Sequence, residues 1–282
     1  MTFSIAAWDP TSDPPEWGVA VASKFLAVGS AVPWVRAGAG AIATQALANL
    51  SYGPDGLEML EGGASAREVV GTLTSRDADG VHRQLGVVDA TGGADTFTGS
   101  ECFDWAGGRV GDGYCCQGNI LTGPDVVDRM GEAFESAQGE LAVRLLAALR
   151  AGDEAGGDRR GRQSSALYVA REGGGYGGGI DRSVDLRVED HPGPVPELER
   201  LFHLHRLYFP RPEDLRFIPV DDALAEELRG ALKAAGYPSG EGSGYESIRN
   251  ALFEYIGSEN LEERWTEEPT IEAGILDHLR AR

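Results

Sequence analysis

Forty glycines in 282 residues set the first constraint on the fold. Ordinary chains carry about half that share, and here the glycines fall between short apolar runs with no fixed period. A chain interrupted this often by residues that reach left-handed backbone conformations is built from short strands and tight turns. Phe3 to Trp8 and Trp17 to Ser23 alternate as strands around Asp9 to Pro15, a turn rich in Pro, Asp and Ser, and so predict a hairpin. Ser30 to Trp34 and Gly40 to Gln45 read as two further strands, so four strands precede any helix.

Tyr52 to Glu61 then reads as a helix with Leu57 and Leu60 on one face, and Ser65 followed by Glu68 has the spacing of a capping box for a second helix. Gln84 to Asp89, Ala94 to Gly99 and Gly111 to Ile120 are strand candidates. Gly123 to Ala137 and Glu140 to Ala151 have helical spacing. Ser164 to Arg171 and Asp181 to Val188 close the series, with Gly173 to Gly179 as a hairpin turn. Strands, two helices, strands, two helices, strands: this order predicts an α+β domain of two packed sheets with helices outside.

The run His191-Pro192-Gly193-Pro194-Val195-Pro196 marks a linker. The expected organisation is a first domain over 1–191, a linker with a bridging helix over 192–212, and a small all-α domain over 213–282. The last contains helices at Asp221 to Ala235, Tyr245 to Gly257 and Ile271 to Leu279.

A net charge of −20 argues against a nucleic-acid backbone or an anionic membrane surface as partner. No stretch reaches the roughly twenty apolar residues needed to span a bilayer. Cys102, Cys115 and Cys116 cannot all pair within one chain, which fits a reducing compartment, and the opening residues lack a basic segment followed by an apolar one. A cytoplasmic protein is expected. His203 and His205 cannot share one helical face, so no metal site is expected, and no cofactor.

Removal of Met1 would leave Thr2 with a strand-borne hydroxyl beside a free amine. An α-amine titrates at about 7.7–8.0, close to where a general base works best, so the residue would hold nucleophile and base together. The segment Thr-Phe-Ser-Ile-Ala-Ala, with Gly18 to Ser23 after it, resembles the opening hairpin of proteasome-type N-terminal-nucleophile hydrolases. Residues 2 to about 191 resemble more closely the bacterial family of unknown function DUF1028. The matching strings are Ser-Lys-Phe-Leu-Ala-Val-Gly-Ser (23–30), Ala-Thr-Gln-Ala (43–46), Gly-Asp-Gly-Tyr (111–114), Gln-Gly-Asn (117–119) and Gly-Gly-Asp-Arg-Arg-Gly (156–161). This resemblance implies a four-layer αββα sandwich of the N-terminal-nucleophile hydrolase kind. The C-terminal part, through Leu228 to Leu232, Gly236-Tyr237 and Ala251-Leu252-Phe253, resembles a peptidoglycan-binding module, which implies a peptidoglycan fragment as ligand.

The resemblance also implies roles. Proteasome-type enzymes place an acidic residue near the end of the second strand and a lysine on the fourth; those places fall here on Ser23 and on Thr44 or Gln45. Lys24, by strand alternation, points away from the face of Ser23. Asn119, ending a strand before a helix, is the oxyanion candidate, and equally an asparagine that holds a turn. Asp158 matches a late aspartate that orients the amine, and is equally a partner in a loop salt bridge. Lys24, Gln45, Arg159, Arg160 and Gln163 are the candidate substrate contacts. The implied activity is hydrolysis of an amide or related acyl bond in a small molecule or short peptide. The alternative is a non-catalytic binding or assembly protein. A homodimer is expected by analogy.

Overall fold

The opening hairpin forms as its alternation requires: β1 (Thr2–Asp9) pairs antiparallel with β2 (Glu16–Ser23), Phe3 opposite Ala22. The structure is a computed structural model that describes residues 2–281. The chain divides into two units inside one helix, between Leu201 and Phe202.

In the first unit β3 (Pro33–Arg36) and β4 (Gly40–Gln45) precede helices α1 (Tyr52–Glu61) and α2 (Ala66–Arg76). Four strands follow: β5 (Gln84–Val88), β6 (Ala94–Thr98), β7 (Gly107–Gly111) and β8 (Tyr114–Asn119). Helices α3 (Asp125–Ser136) and α4 (Leu141–Glu154) then lead to β9 (Ser164–Arg171) and β10 (Arg182–Val188). The strands make a six-stranded sheet in the order β10-β9-β2-β1-β8-β7 and a four-stranded sheet in the order β3-β4-β5-β6. Both sheets are antiparallel throughout.

Helices α3 and α4 cover the larger sheet and α1 and α2 the smaller one, while β1 packs on β4 and β5, and β8 on β5. The result is the expected four-layer αββα sandwich. Its inter-sheet core includes Ala6, Val19, Val21, Ala41, Ala43, Val88 and Cys115. A second core, with Ile42, Leu57, Leu60, Val69, Leu85 and Val87, lies under α1 and α2. The capping box of α2 is present, Ser65 Oγ accepting from Glu68 N and the Glu68 carboxylate from Ser65 N.

Two local expectations are corrected. Gly111 to Ile120 is not one strand: Asp112-Gly113, with Gly113 at φ +72°, turns the chain between β7 and β8, a dipeptide that favours hairpins. The strand placed at Ser30 begins at Pro33, because Val28–Ser30 form a single 3₁₀ turn. Cys115 faces the inter-sheet core and Cys116, on the opposite face of β8, lies under the helices, so both thiols are fully buried. Burial pushes the Cys115 thiol up to about 12, which leaves it inert.

Helix α5 (Pro194–Tyr208) carries the division between the units and begins inside the proline run read as linker, its prolines tolerated in the first turn. The second unit contains β11 (Phe217–Pro219), α6 (Asp222–Ala234), α7 (Tyr245–Ser258), β12 (Thr270–Glu272) and α8 (Ala273–Arg280). Leu228, Leu232, Ile248, Leu252, Tyr255, Ile275 and Leu279 form its core. The expected three helices are joined by a two-stranded β11–β12 ladder. Strands of three residues are too short to show a period.

Candidate active site

Alternate residues of each inner strand face the opposing sheet. On β1 these are Thr2, Ser4 and Ala6; on β2, Ser23, Val21 and Val19; on β8, Asn119, Gln117 and Cys115; on β4, Gln45, Ala43 and Ala41; on β5, Gln84, Gly86 and Val88. The inter-sheet layer therefore changes character along the strands. Deep in the sandwich it is aliphatic; at the end that holds Thr2 it is built from hydroxyls and carboxamides.

Thr2 is only 4% exposed, and its Oγ1 lies 3.1 Å from Ser23 Oγ. Asn119 is its partner in the β1–β8 ladder. From the second sheet, Gln45 Nε2 donates to Thr2 O (3.3 Å), Gln117 O (3.4 Å) and Gln84 Oε1 (2.8 Å). Gln84 Oε1 also accepts from Asn119 Nδ2 at 2.8 Å. Gln84 Nε2 donates to Thr98 Oγ1, Gly107 O and Gly118 O. Ser4 Oγ donates to Gln45 Oε1 and accepts from Gln117 Nε2, and Thr96 Oγ1 donates to Gln117 Oε1. These uncharged groups satisfy one another, which is what burial of polar atoms demands.

The strands that end beside Thr2 leave through strained backbone. Among the described residues five non-glycine positions have positive φ, and four follow these strand ends: Ala27 after β2, Ala46 and Leu47 after β4, and Ile120 after β8. Such conformations cost about 1–3 kcal/mol each and concentrate at functional sites.

Asp158, 6% exposed, accepts from Lys24 N (2.9 Å) and from Arg160 N, Nε and Nη2 (2.9, 3.1 and 2.8 Å). It thus ties the loop after α4 to the first residue beyond β2. A 220 Å³ cavity lined by Phe3, Ser23, Asp153, Asp158 and Arg162 lies beside it.

Of the expected site residues, Thr2, Ser23, Asn119 and Gln45 come together. Asp158 reaches the group through the backbone of Lys24, next to Ser23. The Lys24 and Arg159 side chains are exposed and make no hydrogen bond to the cluster, Arg160 is bound to Asp158, and the Gln163 amide bonds Asp190 at 3.1 Å. Ser4, Gln84, Gln117, Thr96 and Thr98 were not foreseen. Their signal was a carboxamide or hydroxyl at the inward parity of an otherwise apolar strand. Among the described residues no group of three His, Cys, Asp or Glu side chains is placed to hold a metal, and no helix is long and apolar enough to cross a membrane.

The sequence profile of the family of unknown function DUF1028 matches residues 2–198. The chain belongs to that family. A solved DUF1028 protein from Silicibacter pomeroyi is 34% identical, with a TM-score of 0.66, over 73% of this chain and 86% of that one. A second profile, described as "putative peptidoglycan binding domain", matches residues 208–279. This DUF1028 chain therefore couples the family's sandwich to a peptidoglycan-binding-like helical module. No curated protein matches it.

Proposed function

We propose that this DUF1028 protein hydrolyses an amide or related acyl bond of a small molecule or short peptide, with Thr2 as nucleophile once the bond between Met1 and Thr2 is cut. Met1 itself lies outside the described residues. The observation that carries the reading is the Thr2 Oγ1–Ser23 Oγ contact at the mouth of a sandwich whose inter-sheet layer turns polar only there.

In this reading the Thr2 amine removes the Oγ1 proton as Oγ1 attacks the carbonyl carbon. The scissile C–N bond breaks, the leaving nitrogen takes the proton, and an ester on Thr2 remains. Water, deprotonated by the same amine, then attacks the ester and releases the carboxylic acid. Ser23 holds Oγ1, Asn119 lies beside it, Gln45 anchors the Thr2 carbonyl, and Asp158 fixes the chain after Ser23. Lys24, Arg159 and Arg160 lie at the rim, where cations would meet an anionic substrate.

With activity found by an acyl-substrate screen, Thr2→Ser should retain part of the turnover and Thr2→Ala should abolish it. Equal activity of both variants and the parent would refute the assignment. One observation favours the alternative of a binding or assembly protein: at Thr44 and Gln45, the places where the resemblance to proteasome-type enzymes would put a lysine, the side chains are neutral, and Gln45 bonds the Thr2 carbonyl. In that reading the helical module holds a peptidoglycan fragment. Binding of muropeptides by the full chain with no turnover by any variant would support it.

A further inference from the structure

We infer that Gln84 is a positioning residue that fixes the Asn119 carboxamide so that it offers Thr2 an acceptor, Oδ1, and not an N–H. This rests on the reading of Thr2 as an N-terminal nucleophile. Carboxamide oxygen and nitrogen are told apart by their partners. Here the partners decide. The carbonyls of Gly107 and Gly118 can only accept, so the Gln84 group that meets them, at 3.2 and 2.8 Å, is its NH₂. Gln84 Oε1 must then face the other way, where only donors can satisfy it. Gln45 Nε2 and Asn119 Nδ2 do so, each at 2.8 Å. Gln45 is checked independently, because the same nitrogen meets the carbonyls of Thr2 and Gln117.

With its nitrogen drawn across to the second sheet, Asn119 turns its oxygen away from Gln84, and this orientation replaces the oxyanion-donor role expected of it from the sequence. Its neighbour across the ladder is Thr2, and facing residues in such a pair have Cβ atoms about 4.5–5.5 Å apart. A Thr2 amine that donates one N–H to Oδ1 keeps its lone pair free to turn toward its own Oγ1. An acceptor there also favours the ammonium form, whereas an N–H would oppose it. Ser23, Gln45, Gln84 and Gln117, which face this end from β2, β4, β5 and β8, carry no charge. The charged and titratable groups of the surrounding loops are Lys24, Arg83, Glu101, Cys102, Asp104, Arg159 and the Asp158–Arg160 and Asp153–Arg162 pairs. They are the same in every variant below.

The test uses the full chain with Thr2 made N-terminal by cleavage of an added leader, and reads the pH midpoint for acetylation of the Thr2 amine by acetic anhydride, located by peptide mapping. Asn119→Ala should lower the midpoint by about half a pH unit, seen as roughly threefold faster labelling at pH 7. Gln84→Leu should lower it similarly, and the double variant no further. Gln84→Met serves if the leucine variant loses cooperative unfolding. A raised midpoint in Asn119→Ala would show that a donor faces the amine, and an unchanged one that the carboxamide does not touch it; either overturns the inference. No turnover is needed. The orientation can therefore fail while the nucleophile assignment stands, and a host that never exposes Thr2 defeats the assignment without affecting this measurement.

Discussion

Gly86 lies on β5 beneath the Gln117 side chain, and a Cβ built there would sit 2.1 Å from Gln117 Oε1 and 2.5 Å from Cδ. Gly86→Ala therefore displaces a fully buried carboxamide. Gln117 would lose its bonds to Ser4 Oγ (2.7 Å) and Thr96 Oγ1 (3.3 Å), leaving its own buried Nε2 and Oε1 unpaired, while Ser4 keeps Gln45 Oε1 and Thr96 keeps Leu85 O. A buried polar group left without a partner costs about 1–3 kcal/mol, so the loss should total about 3–5 kcal/mol. For a unit of this size that is a fall in Tm of roughly 6–20 °C. Thermal unfolding followed by tryptophan fluorescence suits the measurement, because Trp8, Trp17, Trp34 and Trp105 lie in the first unit and only Trp265 in the second. Gly71→Ala is the control: its Cβ meets nothing within 4 Å and it lies in α2, so stability should hold or rise by up to about 1 kcal/mol. The double variant Gly86→Ala, Gln117→Ala should be less damaged than the two single losses added together, because the clash disappears with the carboxamide. A Gly86→Ala chain within about 0.5 kcal/mol of the parent, or strict additivity in the pair, would refute the reasoning.

Other consequences follow from the same geometry. Ser65→Ala removes the capping box of α2 and should cost about 1 kcal/mol by urea unfolding. Asp77 accepts from Arg83 Nε (2.9 Å), Asn49 (3.0 Å) and Tyr52 OH (3.0 Å), and the Arg83 guanidinium, first among these, holds its carboxyl well below the usual carboxylate range. A depressed folded pKa gives stability that is complete above the unfolded value of about 3.9 and is lost as pH falls below it. The parent should therefore lose more stability than Asp77→Asn between pH 5 and pH 3. Gln45→Lys places an ammonium in an uncharged, fully buried network and should destabilise the first unit by several kcal/mol at pH 7, with partial recovery at high pH as the amine loses its proton.

The sandwich was legible because its strands are separated by glycine and proline turns and its helices come in pairs. Thr2 and Ser23 were legible because one hairpin carries both, and β1 and β2 pair in the register that their lengths suggest. Asn119 was visible only through a motif shared with relatives. The carboxamide network was not legible. Gln45, Gln84 and Gln117 lie about 30 to 40 residues apart in sequence, and only the pairing of β4 with β5 and the packing of β5 on β8 reveal that they share one layer. The loop at 156–163 misled in a different way. Asp158 lies next to two arginines in sequence, yet Arg160 curls back onto it while Arg159 stays exposed, a choice made by backbone turns that composition does not encode.

The central claim is that residue 2 presents its own amine to its own hydroxyl. Intact mass of the full protein, purified from its native host at natural expression, tests this most directly. The account expects a mass lacking Met1, with Thr2 first. A mass that retains Met1 throughout would remove the general base and contradict the hydrolase reading, leaving the sandwich as a binding or assembly scaffold.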